Sequence, residues 1–130
     1  MRNLAERLIA CEAKGHKSSD AKGTMPFLTC EKLRPHLTVL MGNGGFRGLL
    51  SRALVLANTE VPWLRAVHVK ADGSLEGLEE LQAQTGPDGS FEGGVVLLAQ
   101  LLGLLVAFIG EDLTLRLMTE VWPKLSVDIG

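Results

Sequence analysis

The chain contains no tyrosine and only two tryptophans and four phenylalanines. A β-sandwich core relies on aromatic and β-branched side chains, so this shortage argues against one. Surfaces that stack nucleic-acid bases interleave aromatics with cations, and that pattern is missing too. The basic residues are scattered singly among acidic ones, so no nucleic-acid partner is expected.

Cysteine is scarce. Cys11 and Cys30 stand alone, outside any CxxC arrangement, and their spacing gives no support to a disulfide. Glu6 and Glu12 interrupt the apolar pattern of the first residues, unlike a secretory leader. A cytoplasmic location is the expectation. His16, His36 and His68 fall singly in different segments, none beside a second ligand at metal spacing, so neither metal nor cofactor is expected. There is no G-x-S-x-G motif, and Cys30 and His36 lie six apart with nothing to join them as nucleophile and base. No catalytic residue is assigned, and the chain reads as non-enzymatic.

Leucine, valine and alanine fill the space instead, within a hydrophobic content of 46%. Such a core favours helices. With 130 residues the chain is one domain's length, residues 1–130.

The net charge of −2 hides a division. Residues 1–70 carry eleven Lys/Arg against five Asp/Glu, whereas residues 71–130 carry two against ten. This split either steers association between chains or pairs the halves of one chain.

Leu4, Ala5, Leu8, Ile9 and Cys11 define a short amphipathic helix that ends near Gly15. The polar, glycine-bounded segment 15–24 reads as an exposed loop. From Met25 to Met41 a helix is expected, with a kink or break near Arg34 because Pro35 is costly inside a helix, resuming to Met41. Phe46, Leu49, Leu50, Ala53, Leu54 and Ala57 then follow one helical face as far as Pro62. Asp72-Gly73 suggests a minor hairpin near 65–75, and a short acidic helix is expected from about Leu75 to Gln84, broken by "TGPDG".

Val95 to Ile109 is the longest apolar run. As a helix it spans about 22 Å, short of the roughly 30 Å of a bilayer core, so a buried central helix is expected. Ala99, Gly103 and Ala107 form a small-residue stripe along it, suited to close packing. The last helix starts after Gly110 and stops at Pro123. Leu113, Leu117 and Val121 lie on one of its faces, and Leu115, Met118 and Trp122 on another. The segments "TEVPW" (59–63) and "TEVWP" (119–123) echo each other, and read as two similar helix stops.

The stretch "MGNGGFRG" invites comparison with a nucleotide loop. A dinucleotide fingerprint starting at Gly42 needs its third glycine where Arg47 stands, and no GK[ST] follows. A turn between helices is expected. Gly44, Gly45 and Arg47 form the residual candidate for an anion site, through backbone N–H groups and one guanidinium.

The expectation is therefore an all-α bundle of five or six helices around residues 95–109. Its role is read as protein interaction or assembly, as a homodimer, with Leu115, Met118 and Trp122 at the interface. One alternative is a sensor or carrier of small apolar ligands, with a pocket at Gln100, Gly103 and Phe108. The other is reversible membrane association through helix 95–109.

Overall fold

The structure is a computed structural model and describes residues 2–14 and 25–123. The expected loop at 15–24 lies outside the described residues. Helix α1 (Arg2–Lys14) is followed by α2 (Met25–Glu60), a 3-10 helix (Pro62–Ala66), strands β1 (His68–Val69) and β2 (Leu75–Glu76), α3 (Leu78–Ile109) and α4 (Glu111–Val121). The fold is all-α with one small hairpin. Leu75 and Glu76, expected to open the acidic helix, are strand instead, and the helix starts at Leu78. Non-helical residues bend α2 at Gly42 and α3 at Gly86. Among the described residues, α1, α4 and the two arms of each long helix make six straight runs.

Of the kink or break expected near Arg34, the break does not occur. The helix runs through Pro35 and bends seven residues later, at Gly42 (φ 80°, ψ 162°). Burial decides this. Phe27, Cys30, Leu33 and Leu37 are all buried on one face, and a break at residue 34 would turn Leu37 out. A buried Leu or Phe contributes roughly 1.5–3 kcal/mol, so this row outweighs the ~3 kcal/mol cost of an internal proline. Pro35 itself faces solvent. Gly42 takes a left-handed conformation that is open to glycine at little cost, so the strain-free place to bend is there.

Around this frame α1 buries Ala5, Leu8 and Ile9, and the second arm of α2 buries Phe46, Leu50, Ala53 and Ala57. Both faces follow the sequence periodicity. Helix α3 buries Val95, Val96, Leu97 and Leu98 in succession, so its middle is enclosed on every side. Farther along, Leu101, Leu102 and Leu105 remain buried while Ala107 and Phe108 reach solvent. Helix α3 extends well before Val95, and its straight arm, residues 87–109, is about 35 Å long. The shortness expected from the sequence is thus corrected: by length and composition α3 could cross a membrane, although half of its most apolar stretch is buried.

Contact between α2 and α3 is the most extensive in the fold; Gly94 sets the close approach to α2, and Gly93 that to the 3-10 helix. A Cβ on Gly94 would lie 2.5 Å from Pro26 Cβ and 3.0 Å from Phe27 Cε2. A Cβ on Gly93 would lie 3.0 Å from Leu64 Cδ2. The close approach is made here, rather than along the Ala99–Gly103–Ala107 stripe. Ala99 and Gly103 border an open recess instead, and Ala107 is exposed.

Two turns complete the frame. Gly77 (φ 89°) caps α3 so close to the 3-10 helix that a Cβ would meet the Ala66 carbonyl oxygen at 1.9 Å. Gly110 (φ 92°) separates α3 from α4, and its carbonyl accepts from Thr114 N–H at 3.1 Å and Thr114 Oγ1 at 2.7 Å.

The glycine contacts set a testable contrast. Gly94→Ala should destabilise the fold by about 1–3 kcal/mol or more, because the added methyl meets a proline and a phenylalanine held in place. Gly48→Ala, on an open helical position with nothing within 4 Å, should stabilise by about 0.5–1 kcal/mol. Urea unfolding followed by circular dichroism measures both.

Candidate functional site

The glycine-rich stretch at the α2 bend turns out to hold the hairpin. Asn43 Nδ2 and Arg47 Nη1 both donate to the Ala71 carbonyl, at 3.2 and 3.1 Å. Gly73, in a left-handed turn, lies against the Phe46 ring; a Cβ there would sit 3.1 Å from Phe46 Cδ2. From the preceding arm, Arg34 Nη1 donates to the Asp72 carbonyl at 3.4 Å, and Glu31 Oε1 accepts from Leu75 N–H at 3.2 Å. The hairpin pairs His68 with Glu76 and Val69 with Leu75. Arg47 is therefore engaged with the protein's own backbone. Gly44 and Gly45 face solvent beside it.

Within the turn, Asp72 Oδ1 accepts from Ser74 Oγ at 2.6 Å and Ser74 N–H at 3.0 Å. These bonds hold the Asp72 carboxyl below its ordinary value, with smaller help from Lys70 and Arg34.

Of the residues expected to line an apolar pocket, Gln100 and Gly103 share a recess and Phe108 lies elsewhere. Gln100 is half-buried at the surface, and its Nε2 donates to Glu60 Oε2 at 3.1 Å. With Gly103, Arg2 and Glu60 it borders an open recess of about 310 Å³. Phe108 belongs to a different recess of about 310 Å³, beside Gly44, Gly45 and Gly48.

The second face of α4 also sits differently from the sequence reading. Met118 and Trp122 are buried in the core, and Leu115 is half-buried. Trp122 Nε1 donates to Glu12 Oε1 at 3.0 Å, and Lys32 Nζ lies 3.0 Å from the same oxygen and 5.8 Å from the Trp122 ring centroid. This knot ties α1, α2 and α4 together, so Trp122 is spent on the fold. The side of α4 left open carries Leu113, Arg116, Leu117 and Glu120.

That side forms one wall of an open groove of about 570 Å³. Pro35, His36, Val39 and Leu40 of α2 form the other wall. Val39 is 90% exposed, Leu40 49% and Leu113 42%. Apolar side chains are common singly on surfaces, but three converging on one groove are the ordinary mark of a contact surface. Sequence periodicity could not reveal it, because Val39 and Leu40 continue a run that looks like core. The groove is chemically plain: it offers one imidazole, one guanidinium and one carboxylate around an apolar floor. Among the described residues, no group of three His, Cys, Asp or Glu could hold a metal ion.

Comparison with protein-family models, curated proteins and solved structures found no match. The functional reading rests on the surface itself.

The charge division is used partly inside the molecule. Arg2 Nη2 meets Glu92 Oε2 at 2.7 Å, and Arg34 Nη1 lies 3.8 Å from Asp72 Oδ2, each pairing the basic half with the acidic one. Both cysteines are free thiols, Cys30 buried and Cys11 half-buried. Burial pushes the Cys30 thiol up to about 12, with a minor contribution from Glu31.

Both titrating groups lead to measurements. A thiol that must ionise in the unfolded chain before it does in the folded one stabilises fully below its ordinary value near 9.0. That contribution is lost as pH rises from there toward about 12. Alkaline destabilisation should therefore be shallower in Cys30→Ala than in the parent chain, and native-state labelling should modify Cys11 well before Cys30. Asp72 has the opposite sign. Its depressed value favours the folded turn above the ordinary 3.8, an advantage lost as pH falls through the folded value. Carboxyl NMR titration should place its midpoint below 3.8, and Ser74→Ala should raise it.

Proposed function

We propose that this protein is a non-enzymatic assembly module that self-associates through the groove between α2 and α4. The single observation that carries this reading is the convergence of Val39, Leu40 and Leu113 on one open groove. Burying such side chains contributes roughly 25 cal/mol per Å² of apolar surface, and a single copy leaves them in water. The groove lacks the enclosure of a small-ligand pocket, which buries most of its ligand. Its open form suits a helix or another broad surface.

The interface expected from sequence at Leu115, Met118 and Trp122 is moved, in this proposal, to the adjacent stripe of α4 at Leu113 and Leu117. The role stays the same while the surface changes.

Light scattering coupled to size exclusion tests the reading. The expected mass is about 28 kDa, twice the 14.0 kDa of the chain. Val39→Glu and Leu113→Glu should each shift the protein toward 14.0 kDa with unchanged circular dichroism, since surface substitutions of this kind move stability by only about 0.5 kcal/mol. A parent chain that stays monomeric up to about 100 µM would overturn the proposal.

A further inference from the structure

The stripe of α4 that lines the groove carries more than apolar groups. Arg116 and Glu120 stand one helical turn apart, on the same side as Leu113 and Leu117. Both are exposed or nearly so along the rim. Neither has an ion pair or side-chain hydrogen bond among the described residues, although their spacing would allow one within the helix. A cation and an anion displaced along one helix are self-complementary under a two-fold rotation. If α4 meets α4 of a second copy in antiparallel fashion, Arg116 of each faces Glu120 of the other.

Resting on the self-association reading, we infer that the occupant of the groove is α4 of a second copy, held in an isologous, antiparallel arrangement by two reciprocal Arg116–Glu120 pairs. The ridge of α4 in each copy enters the other's groove. The order across the interface is α2, the partner's α4, α4, and the partner's α2. Each groove is then filled by the same apolar stripe that forms its own wall, so Leu113 and Leu117 leave water together with Val39 and Leu40. A two-fold contact of this kind closes on itself, because the same patch is used on both sides. A head-to-tail contact would use two different patches and propagate. The charge pairs fix register and orientation, as rim charges do, while the apolar stripe supplies the area.

Charge reversal gives a test with a built-in control. In Arg116→Glu each reciprocal pair becomes two carboxylates, and in Glu120→Arg it becomes two guanidinium groups. Each variant alone should dimerise about tenfold or more weakly than the parent chain. Mixed together, they should form a heterodimer within about threefold of parental affinity, because every contact is again between opposite charges. Sedimentation velocity with one variant fluorescently labelled reads both quantities. Any change within a helix is present in the homodimers and the heterodimer alike, so recovery on mixing reports contact between copies.

The outcomes separate cleanly. A parent chain that dimerises, loses the dimer in Val39→Glu and yet ignores both charge reversals would overturn this arrangement and leave the self-association reading standing. Loss of affinity in both variants without recovery on mixing would also overturn the arrangement. A parent chain that is monomeric throughout would overturn both, and would assign the groove to a partner of another kind.

Discussion

The crossing of α2 and α3 is the constraint on which the rest of the fold depends. Gly93 and Gly94 bring the α3 backbone against Pro26, Phe27 and Leu64, closer than any side chain would permit. That approach encloses Val95 to Leu98 on all sides. It also sets where the far end of α3 emerges, and hence where Gly110 turns the chain into α4. The groove between α2 and α4 is a consequence of this geometry. Its two walls are separated by more than seventy residues in the chain, and tertiary packing puts them side by side.

Glycine does two distinct jobs in this molecule. At 93 and 94 it supplies absence of bulk, in helical backbone. At 42, 73, 77, 86 and 110 it supplies positive φ, which bends or caps the chain. The stretch "MGNGGFRG" belongs to the second group through Gly42 alone. The residues after it resume the helix, and Asn43, Phe46 and Arg47 hold the hairpin on its side. What resembled a phosphate loop is a docking platform for the protein's own turn. The polar links from Glu31, Arg34 and Arg47 fasten the hairpin backbone to α2.

Most polar groups near the core are answered, Asn58 Oδ1 being a buried exception among the described residues. Trp122 would be an inviting interface residue on an open helix, but its ring is packed in the core and its N–H is met by Glu12, with Lys32 bridging to both. Gln100, which interrupts an apolar helix, reaches the surface and bonds to Glu60. Burying an amide without a partner costs about 1–3 kcal/mol, so a half-exposed position with a carboxylate partner is the economical one. Several large apolar side chains remain exposed, Val55 and Phe108 among them, and on the proposed reading the groove that holds Val39, Leu40 and Leu113 is where a second copy docks.

Local chemistry was written plainly in the chain. The helix stop at Pro62, the turn at Gly110, the end near Pro123, the Asp72-Gly73 turn and the buried faces of α1 and the second arm of α2 all follow from residues a few positions apart. Those signals act through φ, hydrogen bonding and helical period, which neighbouring residues determine by themselves. The all-helical class follows likewise from a core of leucine, valine and alanine. What only the tertiary structure decided was orientation and override. Pro35 remains helical because Leu33 and Leu37 are buried by distant elements. The small residues that matter are Gly93 and Gly94, since Pro26, Phe27 and Leu64 pack directly against them, whereas Ala107 is exposed. Helix α4 turns Met118 and Trp122 inward and Leu113 outward because α1 and Lys32 meet it on one side. A helix with two apolar faces cannot announce which one will face water; that choice rests with the neighbours it packs against.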